Sequence, residues 1–287
     1  MGVDLGRRPR WRTIGASVAG TAHATAGDPC ADACATRIFA GRNGASLLVA
    51  VAADGAGRAE HAAEGARLAC EAVLQASERW RRRGRGRRPA SQSRVSEFGR
   101  ADAVDWVEAA RRRIARAAAS RRLEPRHFSC TLLVALLDET AAAFFQIGDG
   151  AIVYRDREGK YRPALWPQTG EYANCTWFVT DDDAAERVQS AAAEGVHEVA
   201  LFTDGLQALA LRFASREAHA PFFEPLFAHL RQAPSAARTL VAKLRAFLDS
   251  PAVNQRTDDD KTLVLATRLG PRVVPSARPR PRRRPRQ

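Results

Sequence analysis

No stretch of 18 consecutive apolar residues occurs in the 287-residue chain, so no membrane-spanning helix is expected. The N-terminus is basic but has no apolar run behind it, which argues against a secretory signal. Five cysteines, Cys30, Cys34, Cys70, Cys130 and Cys175, make an odd number with no CxxC pair. Their spacing supports neither a disulfide framework nor a zinc module, and it predicts reduced thiols in a cytoplasmic protein. His61, His127, His197, His219 and His229 likewise show no metal-ligand spacing. Internal repeats are absent, and strands do not alternate strictly with helices as in a doubly wound parallel sheet.

Acid is missing from two segments that are dense in arginine. Between Arg79 and Arg94 there are eight Arg and no Asp or Glu, and from Gly270 to Gln287 there are seven more, again without acid. Taking those 15 charges from the net +13 leaves −2, so the basicity of pI 10.7 belongs to two arms. Neither a recognition helix, an RNA-binding aromatic motif nor a zinc module accompanies them, so nucleic acid or another polyanion would bind only through the arms. We expect a flexible basic N-terminus over 1–10 and one folded domain over 11–269. The Arg-rich stretch 79–94 is expected to be a solvated loop, and 270–287 a disordered Pro/Arg-rich tail.

The body itself has an ordinary apolar content of 45% and can bury a sizeable core. Strands are expected at 13–18, 46–52, 131–137, 142–147, 151–155, 198–203 and 262–268. Gly148-Asp149-Gly150 reads as the turn of a hairpin joining Phe144–Ile147 to Ala151–Tyr154. Helices are expected at 59–77, 101–120, 184–194, 221–231 and 235–248, the last with Leu240, Leu244, Phe247 and Leu248 on one face. Asp181, Asp182 and Asp183 read as the capped start of the third of these.

Three acids stand at the ends of apolar strands: Asp54 after Leu47–Ala53, Asp204 after Val199–Thr203, and Asp259 just before Lys261–Leu265. A carboxylate so placed projects into a cleft from a fixed base, and oxygen ligands of this kind suit Mg²⁺ or Mn²⁺. Asp54-Gly55 and Asp204-Gly205 add a glycine that lets backbone approach closely.

Six motifs follow in order: Asp32; Ala53-Asp54-Gly55-Ala56-Gly57; Ser129-Cys130-Thr131; Ile147-Gly148-Asp149-Gly150; Thr203-Asp204-Gly205-Leu206; and Asp258-Asp259-Asp260-Lys261-Thr262. This order resembles the PPM/PP2C metal-dependent protein phosphatases, and the segment Gly170–Thr176 resembles their bacterial PP2C-like branch. The similarity runs over roughly residues 11 to 269. It implies an α+β fold, a four-layer α-β-β-α sandwich of two antiparallel sheets flanked by helices. It also implies hydrolysis of phospho-Ser/Thr esters by a water activated at two Mn²⁺ or Mg²⁺ ions, with a third in some members.

By the same resemblance, Asp54 bridges two ions and the Gly55 carbonyl is a ligand of one. Asp204 and Asp259 hold the other, Asp149 a weaker third, and Asp32 orients metal-bound water. A phosphoprotein substrate and an opposing Ser/Thr kinase follow as implied partners. Three departures stand out. Ala56 replaces a histidine that protonates the leaving group in many members, Ala31 replaces Glu or Gln, and Gly27 replaces a phosphate-binding arginine, leaving His23 as the substitute. Those losses give a second reading: a catalytically weak domain that acts as a phosphoprotein-binding regulatory module. Its weakness is that all three core acids are kept.

Overall fold

The computed structural model describes residues 11–40, 46–83, 94–168, 176–233 and 237–269. The expected N-terminal arm, the tail and most of Gly170–Thr176, including Glu171 and Asn174, lie outside these. In chain order the strands are β1 (Trp11–Val18), β2 (Ala33–Ala40), β3 (Ser46–Ala53), β4 (Leu132–Leu137), β5 (Ala141–Ile147), β6 (Ala151–Arg155), β7 (Tyr161–Leu165), β8 (Gln189–Glu194), β9 (Glu198–Phe202), β10 (Leu211–Arg212), β11 (Glu217–Ala218) and β12 (Lys261–Arg268). The helices are α1 (Thr21–Ala26), α2 (Ala62–Arg83), α3 (Arg100–Ser120), α4 (Ala184–Arg187), α5 (Gln207–Ala210), α6 (Ala220–Gln232), α7 (Ala237–Leu248) and α8 (Pro251–Asn254).

Two five-stranded sheets form, in the orders β1-β12-β9-β6-β7 and β2-β3-β4-β5-β8, and every pairing in them is antiparallel. Because side chains alternate across a strand, each central strand feeds two cores. Leu48, Ala50 and Ala52 of β3 meet Leu201, Val264 and Ala266 between the sheets. Val49, Val51 and Ala53 point the other way, onto Ala69, Val73 and Trp106 of α2 and α3. On the opposite outer face, Leu263 and Leu265 of β12 pack with Phe223, Phe227, Leu244 and Leu248 of α6 and α7. Strands covered on both faces explain why their sequences are nearly continuous apolar runs. The expected four-layer α-β-β-α sandwich is the architecture.

Three local expectations need correction. The Gly148–Gly150 turn does not close a hairpin: β5 pairs with β4 and β8 in one sheet, whereas β6 pairs with β7 and β9 in the other. The turn carries the chain across the sandwich, with Gly148 at φ 106° making the bend. The helix expected over 184–194 stops at Arg187, and Gln189–Glu194 is the edge strand β8. Its alanines favour helix locally, but pairing with β5 and packing of Ala191 and Ala193 between the sheets override that preference. Asp183 pairs with Arg187 instead of capping α4, while Asp181 accepts the Phe178 N–H. Finally, the start of the Arg-rich stretch is helical. α2 continues to Arg83, and Trp80 stacks edge-on against Phe98 and Trp106. Residues 84–93 of that stretch lie outside the described residues.

Candidate metal centre

Strand ends from both sheets meet at one end of the sandwich. Asp54 follows β3, and its N–H donates to the Thr131 hydroxyl at 3.0 Å while its carbonyl accepts the Thr131 N–H at 2.8 Å. Asp204 follows β9. Asp149 lies in the crossover between β5 and β6, where Gln207 holds its carbonyl. One carboxylate oxygen from each of Asp54, Asp149 and Asp204 can be chosen so that all three lie within 4.8 Å of one another.

The two Asp-Gly pairs do what their sequence suggests. A Cβ on Gly205 would lie 2.0 Å from the Asp260 carbonyl, and one on Gly55 would lie 2.7 Å from the Ala31 carbonyl. Only glycine lets the loops carrying Asp54 and Asp204 sit this close to their neighbours.

Asp32, just before β2, is buried behind the cluster. Its Oδ2 accepts the Thr203 hydroxyl at 2.8 Å, and that same hydroxyl oxygen accepts the Thr262 N–H at 3.0 Å. Thr203 therefore ties Asp32 to β9 and β12 at once. Burial pushes the Asp32 carboxyl up to about 7, against the hydrogen bonds from Thr203 and Thr262. Burial also raises Asp204 to about 6, with the charges of Asp149 and Asp259 adding to it. Asp54 is held well above the ordinary carboxylate value by burial and then by Asp32 and Asp204. Asp149 is raised by burial as well.

Such an arrangement, acids gathered until each suppresses the ionisation of the next, is what a divalent cation relieves. The donors are all oxygen, and the Oδ1 atoms of Asp32 and Asp149 are buried without a hydrogen-bond partner. A hard cation such as Mg²⁺ or Mn²⁺ fits this set.

Of the sequence-predicted residues, Asp54, Asp149 and Asp204 come together, with Asp32 behind them. Asp259 stands outside the tight group. It is exposed, accepts the Asp260 N–H at 2.8 Å, and reaches Asp204 and Asp149 by its charge. Sequence reasoning passed over its neighbour. Asp260 is 2% exposed and accepts the Gly20 N–H at 2.7 Å, the Ala31 N–H at 2.5 Å and His23 Nδ1 at 2.8 Å. Burial acts to raise its carboxyl, but these donors outweigh it and hold it below the ordinary value. Asp260 thereby fixes the segment that carries Asp32.

His23 sits on α1 with its pKa raised, first by the hydrogen bond to Asp260. Gly27 ends α1 in the left-handed region at φ 77°, a conformation that would strain an arginine. Ala56 donates its N–H to the Ser129 carbonyl at 2.9 Å and offers no proton from its side chain.

Comparison with known proteins agrees with this geometry. The family profile described as Protein phosphatase 2C matches residues 19–249. Serine/threonine-protein phosphatase 3 of Escherichia coli (strain K12) is 40% identical over 261 residues, covering 89% of this chain and 98% of that protein. A bacterial serine phosphatase structure superposes with a TM-score of 0.59 at 14% identity, over 91% of this chain and 99% of that one. The catalytic domain of the phosphatase PstP, solved in complex with 2 manganese ions, superposes with a TM-score of 0.53 at 17% identity and the same coverage. The chain belongs to the protein phosphatase 2C family.

Proposed function

We propose that this protein hydrolyses phosphoserine and phosphothreonine esters of proteins in a reaction that depends on Mn²⁺ or Mg²⁺. The observation that carries the reading is the convergence of Asp54, Asp149 and Asp204 from separate strand ends, with oxygens within 4.8 Å of one another. Asp54, Asp204, Asp149 and the Gly55 carbonyl would hold the ions, with Asp259 completing the set from the rim. When bound, two such ions supply a nucleophilic water at neutral pH and positive charge for the phosphoryl oxygens.

The chain's own residues do the rest. Thr203 and the buried face behind it orient Asp32, whose raised pKa lets it hold or accept a proton near neutrality. Asp260 fixes the Gly20–Ala31 segment and keeps His23 protonated to higher pH, so His23 is the cation we assign to the substrate phosphate. The opposing enzyme is a Ser/Thr kinase in this reading, and the setting is the cytoplasm. Among the described residues no helix is long and apolar enough to cross a membrane. The catalytic unit spans 11–269, with the Arg arms as appendages.

The test is hydrolysis of an aryl phosphate and of a phosphothreonine peptide by purified protein with and without Mn²⁺ or Mg²⁺. Turnover of both that requires the metal supports the reading. Tight, metal-independent binding of the phosphopeptide without turnover would favour the regulatory module instead.

A further inference from the structure

The outer seam between α2 and α3 carries charge that the active site does not use. The two helices run antiparallel, as shown by Arg121 on Glu64 at one end, Arg113 on Glu71 in the middle, and Trp80 against Trp106 at the other. Between them lies a groove of about 360 Å³. Its walls include Ala72, Gln75 and Arg79 from α2, with Arg112, Arg113 and Arg116 from α3. These positions fall at helical spacing, so small side chains form the floor and guanidinium groups form the rim.

No acid lines the groove. Arg113 is paired with Glu71, and Arg112 touches Glu108 only at 3.9 Å. Arg79 and Arg116 are exposed, and neither has an acidic partner within 4.0 Å among the described residues. Two unneutralised guanidinium groups thus face each other across the seam, an arrangement with matching geometry for carboxylate or phosphate oxygens.

We propose that this groove docks an acidic segment of the protein substrate, away from the residue being dephosphorylated. The proposal rests on the phosphoprotein phosphatase reading. Nucleic acid fits less well, because no aromatic side chain lines the groove to stack a base. Gln75 offers both a donor and an acceptor for a peptide backbone. Location sets the spacing. α2 starts against Gly55, beside Asp54, and Gln75 lies thirteen residues further along the helix, about 20 Å at 1.5 Å per residue. A flexible Gly/Ser spacer of about twelve residues spans that distance on average.

The experiment compares two phosphothreonine peptides, each with such a spacer, one ending in a run of Glu and the other in a run of Gln. Full-length protein should show a KM about fivefold lower for the Glu peptide with kcat unchanged, the size expected of a few exposed charge pairs. The double variant R79Q/R116Q should lose that preference while keeping aryl phosphate turnover, and R278Q/R280Q in the tail should retain it. An equal KM for both peptides, or a preference that survives R79Q/R116Q, overturns the proposal. A separate arm measures fluorescence anisotropy of the unphosphorylated Glu peptide, which should bind wild type and not R79Q/R116Q. That arm stands even if no phosphate ester is hydrolysed, so failure of the catalytic reading is told apart from failure of the docking site. Displacement of the peptide by a single-stranded oligonucleotide at lower concentration than by unlabelled peptide would reassign the groove to nucleic acid.

Discussion

Asp54 is the acid with the most charged neighbours, since Asp32, Asp204 and Asp149 all act on it. Replacing it by Asn removes a negative charge from the middle of the cluster, and Asp54→Asn should abolish phosphate ester hydrolysis at any Mn²⁺ level. Asp259→Asn acts from the rim, so partial activity should return at high metal concentration. Calorimetric metal titration beside the assays distinguishes the two, and wild-type metal binding by folded Asp54→Asn would sink the site assignment. The same cluster dictates a pH dependence. Asp32 and Asp204, at about 7 and about 6, lie above their ordinary value of 3.8, so the folded chain holds protons that the unfolded chain has released. Their contribution to stability is therefore complete below about pH 4 and is lost as pH rises through about 6 and then 7. In chelated protein, melting temperature should fall across this window, and Asp32→Asn should fall less steeply. If wild type and Asp32→Asn kept a constant difference from about pH 4 to 8, Asp32 would not titrate as its burial requires.

At the scale of elements, the strand-end logic was legible wherever apolar runs ended in Asp-Gly, and β3 and β9 appear within one residue of expectation. Short or small-residue strands were not legible. β8 reads as helix because alanine prefers helix, and only the exposed edge of β5 makes it a strand. Nor could local sequence tell a hairpin from a crossover at Gly148, since both need the same turn residue. The difference lies in which sheet has room for β6. Asp259 and Asp260 were indistinguishable for a similar reason: they are adjacent, and only the contacts of Gly20 and Ala31 show that Asp260 turns inward. The close approach of Gly205 to the Asp260 carbonyl joins the β9 end to this loop. Gly205→Ala must push the two apart, so we expect a loss of about 1–3 kcal/mol in stability, as for other overpacked sites. Metal affinity should fall with it, because Asp204 moves with its neighbour. Urea unfolding and metal titration on the same variant check both, and an unchanged midpoint would show that the loop yields freely.

For the whole molecule, the decisive feature is where the charge sits relative to the sandwich. The two sheets and their helix layers are joined by apolar contacts on three levels, none of which involves the Arg-rich tail. β12 closes the described part of the chain, paired along its length with β1, and the Arg268 N–H donates to the His197 carbonyl at 2.8 Å. Ending the chain after Leu269 leaves all of these bonds in place and removes seven arginines. At physiological salt, charges beyond about 8 Å of the centre are largely screened, so the chemical step should not register their loss. Truncation should keep metal-dependent aryl phosphate turnover and the melting temperature, while binding to a polyanion such as heparin weakens and becomes less sensitive to salt. The acidic-peptide preference should survive the truncation, because Arg79 and Arg116 remain on α2 and α3. A folded truncate that lost aryl phosphate turnover would place the tail in the catalytic cycle. One that kept turnover but lost the preference for the Glu peptide would move the docking site from the helical seam to the tail.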